Sequence, residues 1–223
     1  MTLRWTIALL GFALGGSAAP RQLAPPPRVP LAELVATLDG RYNSMQSWQA
    51  DFVQLYTADL QSRRESGHLY LQKPGRMRWD YRQPVAKQFI VNGNRVWQYT
   101  AGDPTATLTQ INDVNDLRTP LRYLLGHTQL ERELDDLAYS ALAPWISGDA
   151  VISGKPHQAD VAGWSQVWFE VSPAYELDRI VIAGLDGSRN DIRLSHIQPN
   201  SRISSKWFVF TPPPGVRLVA GGQ

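Results

Sequence analysis

From Trp48 onward, apolar side chains recur at every second position over several short runs, a spacing that dictates strands with one buried face. Trp48, Ala50 and Phe52 alternate with Gln49 and Asp51, Leu69 and Leu71 with Tyr70 and Gln72, and Met77, Trp79 and Tyr81 with Arg78 and Asp80. The runs 89–91 and 96–99 flank Asn92-Gly93-Asn94, which predicts a hairpin closed by a tight turn. Residues 108–111 add a further candidate strand. Beyond them, 167–171, 180–183 and 192–197 read as strands, with a turn at Asp186-Gly187. The spacing predicts a last strand over 207–210, ended by Pro212-Pro213-Pro214-Gly215.

Helical spacing occurs in three places. Leu31, Leu34, Val35, Leu38 and Tyr42 share one helical face, with Gly40 inside the pattern as a place for the helix to end. Pro120 can open a helix carrying Leu121, Leu124 and Leu125, with Gly126 to cap it. A further stretch over 130–142 places Leu130, Leu134, Leu137 and Ala141 on one face. Helix, strands, helical insertion and more strands, joined by short connections, predict a mostly β, α+β fold: a curved antiparallel sheet with helices over one side.

Residues 1–18 have the form of a signal peptide: Arg4, a short apolar run, then Gly16, Ser17 and Ala18. That run is shorter than the about 20 residues a membrane-spanning helix needs. Residues 19–30, rich in proline, read as an extended linker, and 31–223 as a single domain. Export without any cysteine leaves stability to core burial, and predicts a soluble periplasmic protein.

Chemistry-bearing motifs are absent. His68, His127, His157 and His196 lie far apart at no metal-ligand spacing, so no metal site is expected. Neither a nucleophile elbow nor a phosphate-binding loop occurs, and Asp135, Asp136, Glu131 and Glu133 read as surface charges, so no enzyme and no cofactor are expected. Arg76 to Tyr81 interleaves basic and aromatic residues, but a formal charge of +2 and export argue against nucleic acid. The eight tryptophans admit two readings, a large aromatic core or an apolar cavity lined by rigid rings.

The run Lys73-Pro74-Gly75-Arg76-Met77-Arg78-Trp79-Asp80-Tyr81, with Pro84 after it, resembles the signature of the periplasmic outer-membrane lipoprotein carriers, the LolA family. Gly67-x-Leu69-Tyr70-Leu71, Asn92-Gly93-x-x-Val96-Trp97-x-Tyr99 and Pro120-Leu121-x-x-Leu124-Leu125-Gly126 extend the likeness in family order. Trp48-x-Ala50-x-Phe52-x-Gln54 and Phe208-x-Phe210-x-Pro212-Pro213-x-Gly215-Val216 complete it across the mature chain.

The resemblance implies an unclosed, strongly curved antiparallel barrel with a helical lid over an apolar cavity. It further implies a monomeric chaperone that takes acylated lipoproteins from an inner-membrane ABC-type release complex to an outer-membrane acceptor. On that reading Phe52, Leu69, Leu71, Trp79, Phe89 and Trp97 line the acyl-chain cavity, and Leu121, Leu124 and Leu125 form the lid. Many family members carry an arginine latch where this chain has Lys73, which keeps the charge and loses the forked donors. Arg76 and Arg78 are candidates to share the latch, and Met77 to dock the release complex. Alternatives are a carrier of another lipid or glycolipid, or a lipoprotein-sensing signalling module. Residues 130–156 depart from the family pattern.

Overall fold

A computed structural model describes residues 29–59, 61–111 and 129–221. The chain begins with helix α1 (Leu31–Ser44), then runs through β1 (Ser47–Ala58), β2 (Gln61–Gln72), β3 (Arg76–Gln83), β4 (Lys87–Asn92), β5 (Arg95–Thr100) and β6 (Thr105–Gln110). A short helix α2 (Leu130–Glu133) leads into β7 (Leu134–Tyr139) and β8 (Ala150–Pro156). Then come α3 (Ala159–Ala162), β9 (Trp164–Val171), β10 (Leu177–Gly184), β11 (Arg189–Pro199), a 3₁₀ turn (Ser205–Phe208) and β12 (Arg217–Ala220).

The described strands form one 12-stranded sheet in the order β12-β6-β5-β4-β3-β2-β1-β11-β10-β9-β8-β7. Two antiparallel meanders, β1 to β6 and β7 to β11, meet where β1 pairs with β11. Edges β12 and β7 do not pair with each other, so the curved sheet stays unclosed. Gly67 sits opposite Tyr81 at a register shift between β2 and β3. A Cβ on Gly67 would lie 2.0 Å from the Asp80 carbonyl oxygen, so only glycine allows this approach. At the β4–β5 turn Gly93 takes φ +61°, which explains the Asn-Gly-Asn signal.

Alternation divides the sheet into two faces. On the inner face, Trp48, Ala50, Phe52, Leu69, Leu71, Met77, Trp79 and Val91 join Ile152, Phe169, Ile180, Ile192 and Leu194 in a single apolar cluster. Leu34, Val35, Leu38 and Tyr42 of α1 complete that cluster, so α1 buries its apolar stripe on the concave side. A smaller cluster of Ile90, Trp97, Ala106 and Phe210 lies on the outer face under the C-terminal segment.

Three sequence expectations need correction. Helix α1 continues through Gly40, because Leu38 and Tyr42 on either side are buried and the glycine faces open space. The stretch 130–142 is helical only to Glu133; from Leu134 it pairs with β8 as an edge strand, with a bulge between Asp135 and Ala138. Backbone pairing to β8 there outweighs the helical spacing of the leucines. Residues 207–210 are not a strand: Trp207 and Phe208 end the 3₁₀ turn, and the last strand is β12, parallel to β6.

Candidate functional site

The inner face of the sheet is apolar and is covered by α1. Its floor is built by cross-strand neighbours, Phe52 beside Gly67, Leu69 beside Trp79, Leu71 beside Met77, and Trp79 beside Phe89. Because Gly67 has no side chain, Phe52 on β1 reaches across β2 to the rings of β3. It meets Trp79 edge-on at 4.6 Å and Tyr81 at 5.0 Å between ring centroids. Phe52, Leu69, Leu71 and Trp79 are at most 2% exposed, and Phe89 packs half-buried at the cluster's margin.

Trp97 does not belong to this floor. It pairs with Ile90, which pairs with Arg78, and both pairs lie on the outer face; Val96 takes the inward position instead. The tight turn at Gly93 fixes that register, and a shift of one residue exchanges the two faces. Leu121, Leu124 and Leu125 lie outside the described residues, as does His127.

Helix α1 is held to both halves of the sheet by polar contacts at its C-terminal end. The Lys73 ammonium, on the β2–β3 turn, donates to the carbonyl of Tyr42 and, at 3.3 Å, to that of Asn43. These carbonyls belong to the last turn of α1, which has no intrahelical donors for them and which attracts a cation. Partial burial lowers the Lys73 pKa. On the other side, Arg41 pairs with Glu176 at 2.5 Å, and the buried Tyr42 hydroxyl accepts the Leu177 N–H at 3.0 Å. Burial raises the Tyr42 pKa, so its hydroxyl stays protonated.

A third attachment buries part of a carboxylate. Asp39 Oδ2 accepts the Leu130 N–H at 3.0 Å, joining α1 to α2, while Oδ1 is buried with no partner among the described residues. Burial, the largest cause, raises the Asp39 pKa to about 6, with Glu133 and Glu131 adding repulsion.

The remaining latch candidates face elsewhere. Met77 is 1% exposed and packs inward beside Leu71, so it is part of the floor and not an exposed docking side chain. Arg76 donates to Gln72 Oε1 at 3.0 Å across the hairpin. Arg78 pairs with Asp80 at 2.8 Å, donates to the Trp207 carbonyl at 2.8 Å and lies over its ring. Alternation from Met77 and Trp79 places both arginines outward, where Arg78 fastens the C-terminal segment and neither meets α1.

Long-range pairs brought together residues that spacing left apart. His68 and His196 bond the two oxygens of Asp51 at 2.7 and 3.0 Å on the outer face. The His68 hydrogen bond is the main reason the Asp51 pKa is lowered. Among the described residues, no group of three or more acids and histidines forms a metal-holding cluster, and no helix is long and apolar enough to cross a membrane. Nothing in the sequence marks Asp39, Arg41 or Tyr42 as an attachment, since α1 carries no signal beyond its apolar stripe. A groove of about 350 Å³ between β6 and β12, lined by Leu108, Gln110, Leu218 and Val219, lies at the sheet edge, away from α1.

The family described as outer membrane lipoprotein carrier protein LolA matches residues 43–211, a span that holds the whole trough floor. The chain belongs to this family. A Bordetella pertussis protein named outer-membrane lipoprotein carrier protein is 31% identical over 215 residues, covering 95% of each chain. A protein of the same name from Methylobacillus flagellatus is 26% identical, covering 84% of this chain and 89% of its own. The crystal structure of an uncharacterized conserved protein from Thermus thermophilus shares the fold, with a TM-score of 0.54 at 12% identity, over 85% of this chain and 99% of that one. The LolA match includes Lys73 to Tyr81, the segment that contributes the Lys73 contact to α1 and the rings of Trp79 and Tyr81.

Proposed function

We propose that this LolA-family chain is a periplasmic chaperone that binds the acyl chains of lipoproteins between α1 and the inner face of the sheet. It would take them from an inner-membrane ABC-type release complex and give them to an outer-membrane acceptor, acting as a monomer and not as an enzyme. Residues 1–18 would direct export and be removed, leaving the linker 19–30 ahead of the carrier domain.

The observation that carries the reading is how α1 is attached. Its apolar stripe is buried on an aromatic floor, and its polar fastenings are few: Lys73 to Tyr42, Arg41 to Glu176, the Tyr42 hydroxyl to Leu177, and Asp39 to Leu130. Such a helix can leave its seat without breaking the sheet, and the floor it vacates is apolar. Each buried methylene of an acyl chain contributes about 0.8 kcal/mol to staying out of water. A carrier must therefore offer apolar surface of similar extent and then release it, which a displaceable helix accomplishes. Leu121, Leu124 and Leu125 would add to this cover.

The test is release from spheroplasts. Purified protein added to spheroplasts that contain a lipoprotein release complex should bring acylated lipoproteins into the supernatant as soluble complexes. Lipoproteins that stay with the membrane at every protein concentration would contradict the function. A co-purifying free lipid or glycolipid would keep the binding site and change the cargo.

A further inference from the structure

The inner face changes character along its length. At the Lys73 end it is wholly apolar, with Leu71, Met77 and Trp48. Beyond Phe52 it turns polar while staying buried: Gln54 is 8% and Glu65 4% exposed, and the two are cross-strand partners. The Tyr81 hydroxyl donates to Gln54 Oε1 at 3.0 Å. Lys87 donates to Glu65 Oε1 and lies 4.4 Å from the centre of the Tyr81 ring, and Arg63 reaches the same Glu65 oxygen at 3.2 Å.

Stability alone does not explain these residues. Only Glu65 of these ion pairs is buried, with Lys87 partly exposed and Arg63 exposed, and taking a carboxylate out of water for such partners roughly breaks even against a well-packed apolar side chain. A leucine at position 54 with a phenylalanine at 81 would likewise leave the aromatic packing intact and need no hydrogen bond. Both polar groups adjoin the apolar floor, since Phe52 touches Tyr81 and Gln54 is two residues further along the same strand face.

We infer that Gln54, Tyr81 and Lys87 form a subsite for the ester and amide carbonyls at the polar ends of the bound acyl chains, setting the direction in which cargo lies. The inference rests on the carrier function proposed above. Carbonyl oxygens accept hydrogen bonds without carrying full charge. The donors here suit them: the Gln54 amide nitrogen, whose oxygen is taken by Tyr81, and the Lys87 ammonium, which has three protons. Burial raises the Tyr81 pKa, so its hydroxyl remains a donor at any physiological pH. Both nearby cations face the Glu65 carboxylate, which disfavours a free fatty-acid anion in their place. Chain tails would point towards Leu71 and Met77, under the end of α1 that Lys73 holds.

The test uses a synthetic triacylated lipopeptide and its ether-linked analogue, which has the same chains without ester carbonyls. The wild-type protein should bind the ester form about tenfold more tightly, the effect of one or two hydrogen bonds. The double variant Gln54→Leu with Tyr81→Phe removes both partners of one bond, so no buried polar atom is stranded there. It should bind the ether analogue as the wild type does and lose the preference for the ester. Equal binding of both lipopeptides by the wild type, or a preference that survives in the double variant, would overturn the subsite. Should that variant not fold, the infrared stretch of the ester carbonyls bound to wild-type protein decides. A shift to lower frequency relative to an apolar solvent supports the subsite, and an unshifted band overturns it. If the wild type binds neither lipopeptide, the carrier function itself fails and the subsite with it.

Discussion

Lys73 on the β2–β3 turn donates its ammonium to the carbonyl of Tyr42, so one turn of the sheet grips the last turn of the helix that covers it. Lys73→Leu removes this grip and leaves two helix carbonyls to water. A loss of about 1–2 kcal/mol is expected, less than for a fully buried charged hydrogen bond. Hydrogen exchange of the amides in 38–44 should quicken while that of β1 and β2 stays the same. Equal exchange in variant and wild type would reduce Lys73 to a surface charge.

Asp39 opposes Lys73. Its pKa is raised to about 6 from 3.8, mainly by burial, so the folded state holds the proton more tightly than the unfolded one. Stability from this group is therefore present at pH 4 and lost as pH rises through 6. At pH 7 the closed helix carries a charged, half-buried carboxylate, at a cost of about 1–2 kcal/mol after solvent screening. Asp39→Asn should still accept the Leu130 N–H, gain about that much stability at neutral pH, and flatten the pH profile between 4 and 6. Thermal melts across that range measure it; an unchanged profile would show that Asp39 titrates normally.

The two faces of the sheet can be told apart by substitution. Phe89→Glu places a charge at the margin of the floor and should weaken lipopeptide binding about tenfold or more while the protein stays folded. Trp97→Ala opens a cavity on the outer face, costing up to about 3–5 kcal/mol, but the folded fraction should bind as before. Loss of binding in folded Trp97→Ala would mean that the outer cluster takes part in the cargo site.

Arg179 pairs with Asp191 at 2.8 and 2.5 Å and with Glu170 at 3.4 Å, all three nearly buried on the outer face. Glu170 also accepts the N–H groups of Trp145 and Ile146, which ties down the β7–β8 connection. Arg179→Met removes the cation shared by both carboxylates, leaving Asp191 to Arg193 at 3.5 Å and Arg189 at 3.9 Å and Glu170 to its two N–H donors, and should cost up to about 3–5 kcal/mol. Trp145 emission should report the loosened connection, and lipopeptide affinity should stay unchanged. A mild effect on stability would mean that water reaches this network.

Alternation made the first half of the sheet legible. From Trp48 to Tyr81 the inward set read from the sequence includes Phe52, Leu69, Leu71 and Trp79, because a half-buried strand displays its burial directly. Trp97 misled because 89–91 is apolar at consecutive positions, so periodicity could not choose a face; pairing across Gly93 does. The leucines of 130–142 suit a helix by spacing, and only long-range pairing with β8 makes Leu134–Tyr139 a strand. The polar end of the trough was illegible for a similar reason. Gln54, Glu65, Tyr81 and Lys87 come from four strands, and nothing local marks them as neighbours.

The most direct measurement is native mass spectrometry of the protein purified from a periplasm without detergent. The predicted result is a one-to-one complex whose extra mass is an acylated lipoprotein and which is lost when the acyl chains are removed. Protein that arrives empty and cannot keep a triacylated lipopeptide in solution would contradict the carrier function.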